Sequence, residues 1–223
     1  TVGKVRLNYE DTPEHWQRVE ASEWKVGDSQ GEEALYAQLK EAQNKGESLG
    51  GILQIQVHNL PPGLGSYVQW DRKLDGRLAQ AVLSVQAIKG VAFGLGFKAG
   101  ESFGSEVHDP IGYTQGRGYY RYSNNAGGIE GGMTNGEPII LEAVMKPIPT
   151  LYSPLLTVDV ETKEVKEASV ERSDVCAVPA ALVVLKHVVA YEILQAVLEK
   201  FPADTWEELL KAWQDYKRYV SEQ

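Results

Sequence analysis

The sequence predicts an α+β fold. Strand-like and helix-like periods occur in one chain without the regular β-α-β alternation of a parallel sheet. Two of the predicted strands are also separated only by a turn, as an antiparallel hairpin requires. The first thirty residues are polar and irregular, and Tyr9 to Trp24 carries aromatics and charges without a sustained period. From Glu32 to Asn44 the apolar positions Leu35, Leu39 and Ala42 share one side among Glu, Gln and Lys, a pattern that predicts an amphipathic helix ending at Gly46. Leu49 to Leu60 sets Ile52, Ile55 and Val57 against Gln54, Gln56 and His58, a half-buried strand stopped by the run Pro61-Pro62-Gly63-Leu64-Gly65. Leu78, Ala81, Val82 and Val85 predict a helix over Leu74 to Val85, and a glycine-bearing strand follows from Ile88 to Phe97.

Lys98 to Tyr119 reads as a long glycine-rich loop, of the kind that is functional or disordered inside a compact domain. Strands are predicted at Tyr119 to Ser123, Pro138 to Met145, Leu155 to Val160 and Glu164 to Val170, the last two joined by a turn at Asp159 to Lys163. Pro179 to Phe201 is the strongest helical segment. Val183, Val184, His187, Val188, Tyr191, Leu194, Ala196 and Leu198 cover much of the circumference and predict a largely buried helix. Pro202 ends it, and Asp204 is expected to cap a final amphipathic helix from Trp206 to Tyr219.

Composition bounds the function. The 223 residues suffice for a sizeable core, and 43% hydrophobic with 24% charged residues is ordinary globular usage. Thirty-one acids against 22 bases give a net charge of −9, which repels a phosphate backbone and makes nucleic acid an unexpected partner. One cysteine, Cys176, allows no internal disulfide and fits a reducing cytoplasm. The start, Thr1-Val2-Gly3-Lys4, lacks a secretory signal pattern and a methionine, as a fragment or a processed chain would. The apolar stretch from Ala177 to Ala190 is interrupted by Lys186 and His187 and is too short to span a bilayer, so no membrane association is expected.

Several motifs carry chemistry. Gly94-Leu95-Gly96 lacks the third glycine and the following helix of a dinucleotide fingerprint, and reads as a strand edge. The segment Asn124 to Gly136 packs five glycines into its last ten residues, a conformational cost tolerated where backbone approaches a ligand closely or needs φ > 0. A plain hairpin or a glycine-mediated helix contact would produce the same pattern. Lys146-Pro147-Ile148-Pro149-Thr150 combines two fixed backbone positions with donors suited to phosphate, or forms a rigid strand exit. Arg172 and Asp174 precede the most apolar helix, where charges need a ligand or form a pair with each other. His15, His58, His108 and His187 lack metal-ligand spacing, and no metal is expected. Cys176 at the start of a helix reads as packing more readily than as a nucleophile.

Taken in order, a set of segments resembles chorismate synthase. They are Ser48-Leu49-Gly50-Gly51, Asn59 to Gly65, Ser84 to Val91, Gly104-Ser105-Glu106, Asn124 to Gly136, Lys146 to Thr150 and Arg172-Ser173-Asp174. The wording of the last three resembles the form common in Gram-positive bacteria. The resemblance covers roughly Glu32 to Phe201 and implies that residues 1–223 are the C-terminal portion of a single domain. Within it, 1–30 form a lead-in, 32–201 the family match and 204–223 a terminal helix. The fold implied is a β-α-β sandwich with helices packed against antiparallel sheets, assembled as a homotetramer. The activity implied is a lyase reaction: anti 1,4-elimination of phosphate from 5-enolpyruvylshikimate 3-phosphate to give chorismate, in the shikimate pathway of aromatic amino acid biosynthesis. It requires reduced FMN, and NADP is associated with the family.

The resemblance also implies site residues. Gln86 and Ala87, Gly131, Lys146, Pro147, Ile148, Pro149 and Thr150, and Arg172 match cofactor positions. Arg172 is matched to substrate as well, and Asp174 matches the acidic residue held to keep the flavin N5 basic. The family's Gly-Glu-Ser-His-Gly type motif, a second histidine and several phosphate-binding arginines have no counterpart here, so this chain alone is expected to be inactive. It would then contribute FMN binding only, or serve as a non-enzymatic oligomerisation module. Lys186 stands where the family usually carries a glutamate.

Overall fold

The computed structural model describes residues 1–223 and combines helices with antiparallel ribbons, as the sequence predicts. Helix α1 spans Pro13–Ala21 and α2 spans Ser29–Asn44, followed by strand β1 at Gly51–Val57, helix α3 at Leu74–Leu83 and strand β2 at Ile88–Phe93. A short α4 (Gly104–Val107) precedes strands β3 (Ile111–Thr114), β4 (Gly118–Arg121), β5 (Ile129–Glu130), β6 (Met133–Thr134) and β7 (Ile139–Met145). Strands β8 (Leu156–Val158) and β9 (Val165–Glu167) lead to helices α5 (Val178–Lys200) and α6 (Trp206–Glu222). Strands β1, β7 and β2 form a three-stranded sheet in that order. The pairs β3–β4, β5–β6 and β8–β9 are separate two-stranded ribbons, each antiparallel.

Four expectations are corrected. The lead-in contains α1, because Thr12 caps it by accepting the His15 amide and Pro13 occupies the first helical turn, where its missing N–H costs nothing. The predicted long loop at 98–119 contains a 3-10 turn, α4 and β3. The last helix is capped by Thr205 rather than Asp204. The Thr205 hydroxyl accepts the Glu208 amide, and the Glu208 carboxylate accepts the Thr205 and Asp204 amides. Helix α5 is not buried all round. Val178, Ala181, Leu185, Val189, Ile193, Ala196 and Val197 form one buried stripe, while Val183, Val184, Tyr191, Leu194 and Leu198 are exposed. At 23 residues, α5 also runs past Ala190, and by length and composition alone it could cross a membrane.

The chain forms two compact units. One comprises 1–53, 86–89 and 144–184; the other comprises 54–85, 90–143 and 185–223. In the first, Val2, Leu35, Ala42, Leu53 and Ile88 are buried, and Asp28 caps α2 by accepting the Gly31 amide at 3.0 Å. The second buries Leu64, Leu74, Leu78 and Val82 together with Ile139 and Leu141 of β7 and Leu185 and Val189 of α5. Arg77 on α3 is fastened to α5 by Glu199 at 2.8 Å, Glu192 at 3.4 Å and Gln195 at 3.2 Å, a charge-assisted set that fixes the register of the two helices.

Thr134 is the buried polar anchor of the second unit. Its hydroxyl donates to the Pro61 carbonyl at 2.7 Å and accepts the Leu64 amide at 2.9 Å. Thr134→Val leaves both buried backbone groups unsatisfied and is expected to cost about 1–3 kcal/mol. Thr134→Ser keeps the hydroxyl and is expected to retain most of that stability. Urea denaturation of the two variants checks this, and equal losses would contradict it.

Candidate functional site

Backbone connections bring four of the predicted segments together within the first unit. Lys146 leaves strand β7, and its amide donates to the Ala87 carbonyl at 2.9 Å. The Ser48 hydroxyl, on the loop before β1, donates to the Ile148 carbonyl at 2.6 Å. The Ser173 hydroxyl donates to the Thr150 carbonyl at 3.1 Å. The Leu49 amide closes the set by donating to the Val175 carbonyl at 2.7 Å. Gln86 and Ala87, Lys146 to Thr150, and Arg172 to Asp174 therefore share one backbone framework, pinned by Ser48 and Leu49.

Gly50 permits that framework. A side-chain carbon there would overlap the Met145 carbonyl oxygen and lie 2.9 Å from the Pro147 nitrogen and 3.0 Å from the Lys146 carbonyl carbon. No larger residue fits without displacing the start of the Lys146–Thr150 segment. Sequence reading places Ser48 and Gly50 only inside a family resemblance. Their contacts join residues about one hundred positions apart, which no local period reveals.

The segment itself is an arranged donor strip. Pro147 and Pro149 have no N–H, and the Lys146 amide is consumed by Ala87. The carbonyls of Ile148 and Thr150 are consumed by Ser48 and Ser173, while the amides of these two residues bond to nothing within the chain. Ala87 sits at φ 67°, a left-handed conformation that costs a residue with a Cβ of order 1 kcal/mol, and its carbonyl bond to Lys146 helps to hold it there. Gln86, Lys146, Arg172 and Asp174 are exposed. Arg172 and Asp174 form no ion pair, so the structural-pair reading of these two residues does not hold. Two free amides, a free guanidinium and a lysine ammonium can hold an anionic ligand; the free carboxylate can accept a proton.

Gly131 lies in the other unit. The predicted glycine segment forms the β5–β6 hairpin, pairing Ile129 with Thr134 and Glu130 with Met133. Gly131 and Gly132 are its two turn residues at φ 61° and 89°, the doubly positive signature of a tight hairpin turn. The plain hairpin reading is therefore correct for the backbone. A Cβ at Gly132 would meet the Ser66 carbonyl and the Lys73 side chain, whereas one at Gly131 would meet nothing within 4 Å. Gly131 thus faces open space that a bound molecule can use.

Asp109, which the motif reading did not single out, anchors the start of this glycine segment. Its carboxylate accepts the Ser123 hydroxyl at 2.5 Å and the amides of Asn125 at 2.7 Å and Ala126 at 2.9 Å. Burial pushes its pKa up, but the Ser123 hydroxyl, the two amides and the Arg121 charge outweigh that and leave it below the ordinary 3.8. At Cys176, burial raises the thiol pKa more than the Val178 amide lowers it, which favours packing over nucleophilic use. Lys186 is exposed on α5. A cavity of about 990 Å³ in the second unit, lined by Arg72, Arg77, His187, Tyr191 and Glu192 among others, contains none of the predicted site residues. No group of three His, Cys, Asp or Glu side chains is placed to hold a metal.

The pH dependence follows from the direction of the Asp109 shift. A carboxylate with a lowered folded pKa contributes stability that is fully present above its unfolded value near 3.8 and is lost as pH falls through the folded value. Melting temperature is therefore expected to fall with acid below about pH 4–5. Asp109→Asn should lower it at neutral pH while flattening that acid limb. An unchanged acid limb would assign it to other carboxylates.

The chain is similar to known proteins over its length. A family model for chorismate synthase matches residues 2–198. The chain is 85% identical over 222 residues to a chorismate synthase of Desulfitobacterium hafniense strain Y51, covering 100% of this chain and 58% of that protein. It is 50% identical over 213 residues to the chorismate synthase of Aquifex aeolicus, covering 96% of this chain and 54% of that one. A crystal structure of a chorismate synthase superposes with a TM-score of 0.83 at 39% identity, covering 100% of this chain and 62% of its own. The chain thus spans a little over half the length of these curated relatives.

Proposed function

Because the chain belongs to the chorismate synthase family, we propose that it carries the flavin-holding portion of a carbon–oxygen lyase that converts 5-enolpyruvylshikimate 3-phosphate to chorismate. The observation that carries the reading is the donor strip at Lys146–Thr150. Its carbonyls are taken by protein hydroxyls, and its Ile148 and Thr150 amides remain for a ligand. Free amides and the Lys146 ammonium suit the anionic tail of FMN.

In this proposal Gln86, Ala87, Lys146, Pro147, Ile148, Pro149, Thr150, Gly131 and Arg172 hold FMN. When bound and reduced, the flavin supplies electron density for departure of the allylic phosphate and a basic site for the ring proton. The chain's own residues do the rest. The Lys146–Thr150 amides orient the cofactor without reorganising, because Ser48, Ala87 and Ser173 already fix their backbone. Arg172 has no internal counter-charge and is available to the substrate's anionic groups. Asp174 is a free carboxylate, positioned two residues from Arg172, that accepts a proton at its carboxylate oxygen and keeps its surroundings negative. The protein acts in the shikimate pathway in the cytoplasm as a homotetramer, and NADP is a further nucleotide associated with it. Small anionic substrate rather than nucleic acid is the expected partner of a chain with net charge −9.

Two measurements test this. Fluorescence titration of FMN into the chain should give saturable binding. Gly131→Asn should weaken it while leaving the apo melting temperature near wild type, because Asn tolerates the left-handed turn but fills the open space. Unchanged affinity in that variant would restrict Gly131 to its turn. In a full-length relative, substitution of Asp174's counterpart by Asn should preserve FMN binding and slow turnover by roughly 10²–10⁴-fold. The purified chain alone should give no chorismate with reduced FMN. Turnover by it would show that the share of the relatives' length absent from this chain is dispensable.

A further inference from the structure

The β8–β9 ribbon, in the first unit, is fully formed yet packed against little. All six of its strand residues are exposed, including Leu156 at 74%, Val158 at 51% and Val165 at 68%. Its turn is nonetheless rigid. Asp159 accepts the amides of Glu161 and Thr162, and its pairing with the Lys166 ammonium, followed by those two amides, pushes its carboxyl down to about 2. A two-stranded ribbon in water is marginally stable by itself, and an open edge invites another strand.

The register says which groups face that edge. Leu156 is opposite Glu167, Thr157 opposite Lys166 and Val158 opposite Val165. The Ala168 amide donates to Leu155 and the Asp159 amide to Glu164, so positions 155, 157 and 159 turn their backbone groups inward to β9. Leu156 and Val158 then point their N–H and C=O groups outward, where no strand receives them.

We propose that the outer edge of β8 is an interaction surface for a second copy of this chain, paired antiparallel about a two-fold axis at Thr157. The inference rests on the homo-oligomeric assembly proposed above and names its contact. The two-fold places Leu156 opposite Val158 of the second copy and Thr157 opposite itself. The outward N–H and C=O groups of Leu156 and Val158 fall into the hydrogen-bonded positions, closing four interchain bonds. Charge selects the edge. Leu156–Thr157–Val158 is uncharged and self-complementary, with apolar pairs flanking a Thr–Thr pair. The β9 edge carries Lys166 and Glu167, and a two-fold there would set Lys166 against itself. The product is a four-stranded sheet, past the limit below which ribbons are marginal.

A charge swap at the axis tests this. Sedimentation velocity of the chain should show self-association. Thr157→Lys and Thr157→Glu, each folded by circular dichroism, should each weaken it roughly fivefold or more, since each sets like charges face to face. Mixing the two variants should restore association, because only a two-fold at residue 157 juxtaposes Lys with Glu. If wild type stays monomeric, the assembly reading itself fails and the ribbon pairs with no second copy. If that monomer's ribbon gains exchange protection only when the remaining part of a full-length relative is added, that part is its cover. An assembled wild type with unaffected Thr157 variants would overturn the β8 contact while leaving the assembly. Dissociation by Val158→Lys but not by the Thr157 variants would mean face-to-face packing and also overturn the edge pairing. Two weakened variants whose mixture stays weak would do the same.

Discussion

The site depends on one close approach: the backbone of Gly50 against the backbone at Met145, Lys146 and Pro147. A side chain at Gly50 would occupy the space through which the Lys146–Thr150 segment leaves its strand. Once the approach is allowed, the neighbouring Ser48 hydroxyl reaches the Ile148 carbonyl and Leu49 reaches Val175. Ala87 is held in its left-handed conformation partly by the same segment, through the Lys146 amide. A glycine, a serine and a strained alanine thus set the backbone of the Lys146–Thr150 segment, and that segment in turn holds Ala87. Segments over-determined in this way, with donors left over, are what preorganised ligand sites require.

How much of this was legible varies by residue. The two prolines of Lys146–Thr150 announce a fixed backbone, and the run of glycines at 127–136 announces positive φ, which all five glycines adopt; both readings rest on local stereochemistry. The α+β class was legible from periods alone. Helix α1 was missed although Thr12 and Pro13 state a helix start, because the polar aromatics after them mask the apolar period. Asp109 was missed because its three partners lie 14–17 residues onward and no spacing rule connects them. The burial of α5 was overstated. Its sequence is apolar nearly all round, but burial depends on what packs against each face, and here only the stripe from Val178 to Val197 is covered. A one-chain pattern reports the capacity of a face to be covered, not its cover.

The residues proposed for the ligand fall in both units. The first holds the donor strip with Arg172 and Asp174, exposed and unpaired. The second holds the β5–β6 turn, where a Cβ at Gly131 would meet nothing within 4 Å and one at Gly132 would meet the Lys73 side chain and the Ser66 carbonyl. Within each, structural obligations are discharged by neighbours: Gly132 and Asp109 fix the hairpin, while Ser48 and Ser173 fix the strip. Several residues proposed for the ligand also carry backbone duties: Gly131 in its turn, Ala87 and Lys146 in their mutual bond, and Ile148 and Thr150 through their carbonyls. The chain covers 58% of the length of a relative 85% identical to it.

The central claim is that the amides of Ile148 and Thr150 are the ligand-facing donors of this site. Backbone amide resonances of the chain, followed while FMN is added, test it most directly. The account predicts that the largest saturable shifts fall on Ile148 and Thr150, with smaller ones at Ala87 and Ser173 through the bonds that tie them to the strip. Saturable binding with the Ile148 and Thr150 amides unmoved, and the shifts gathered elsewhere, would contradict it.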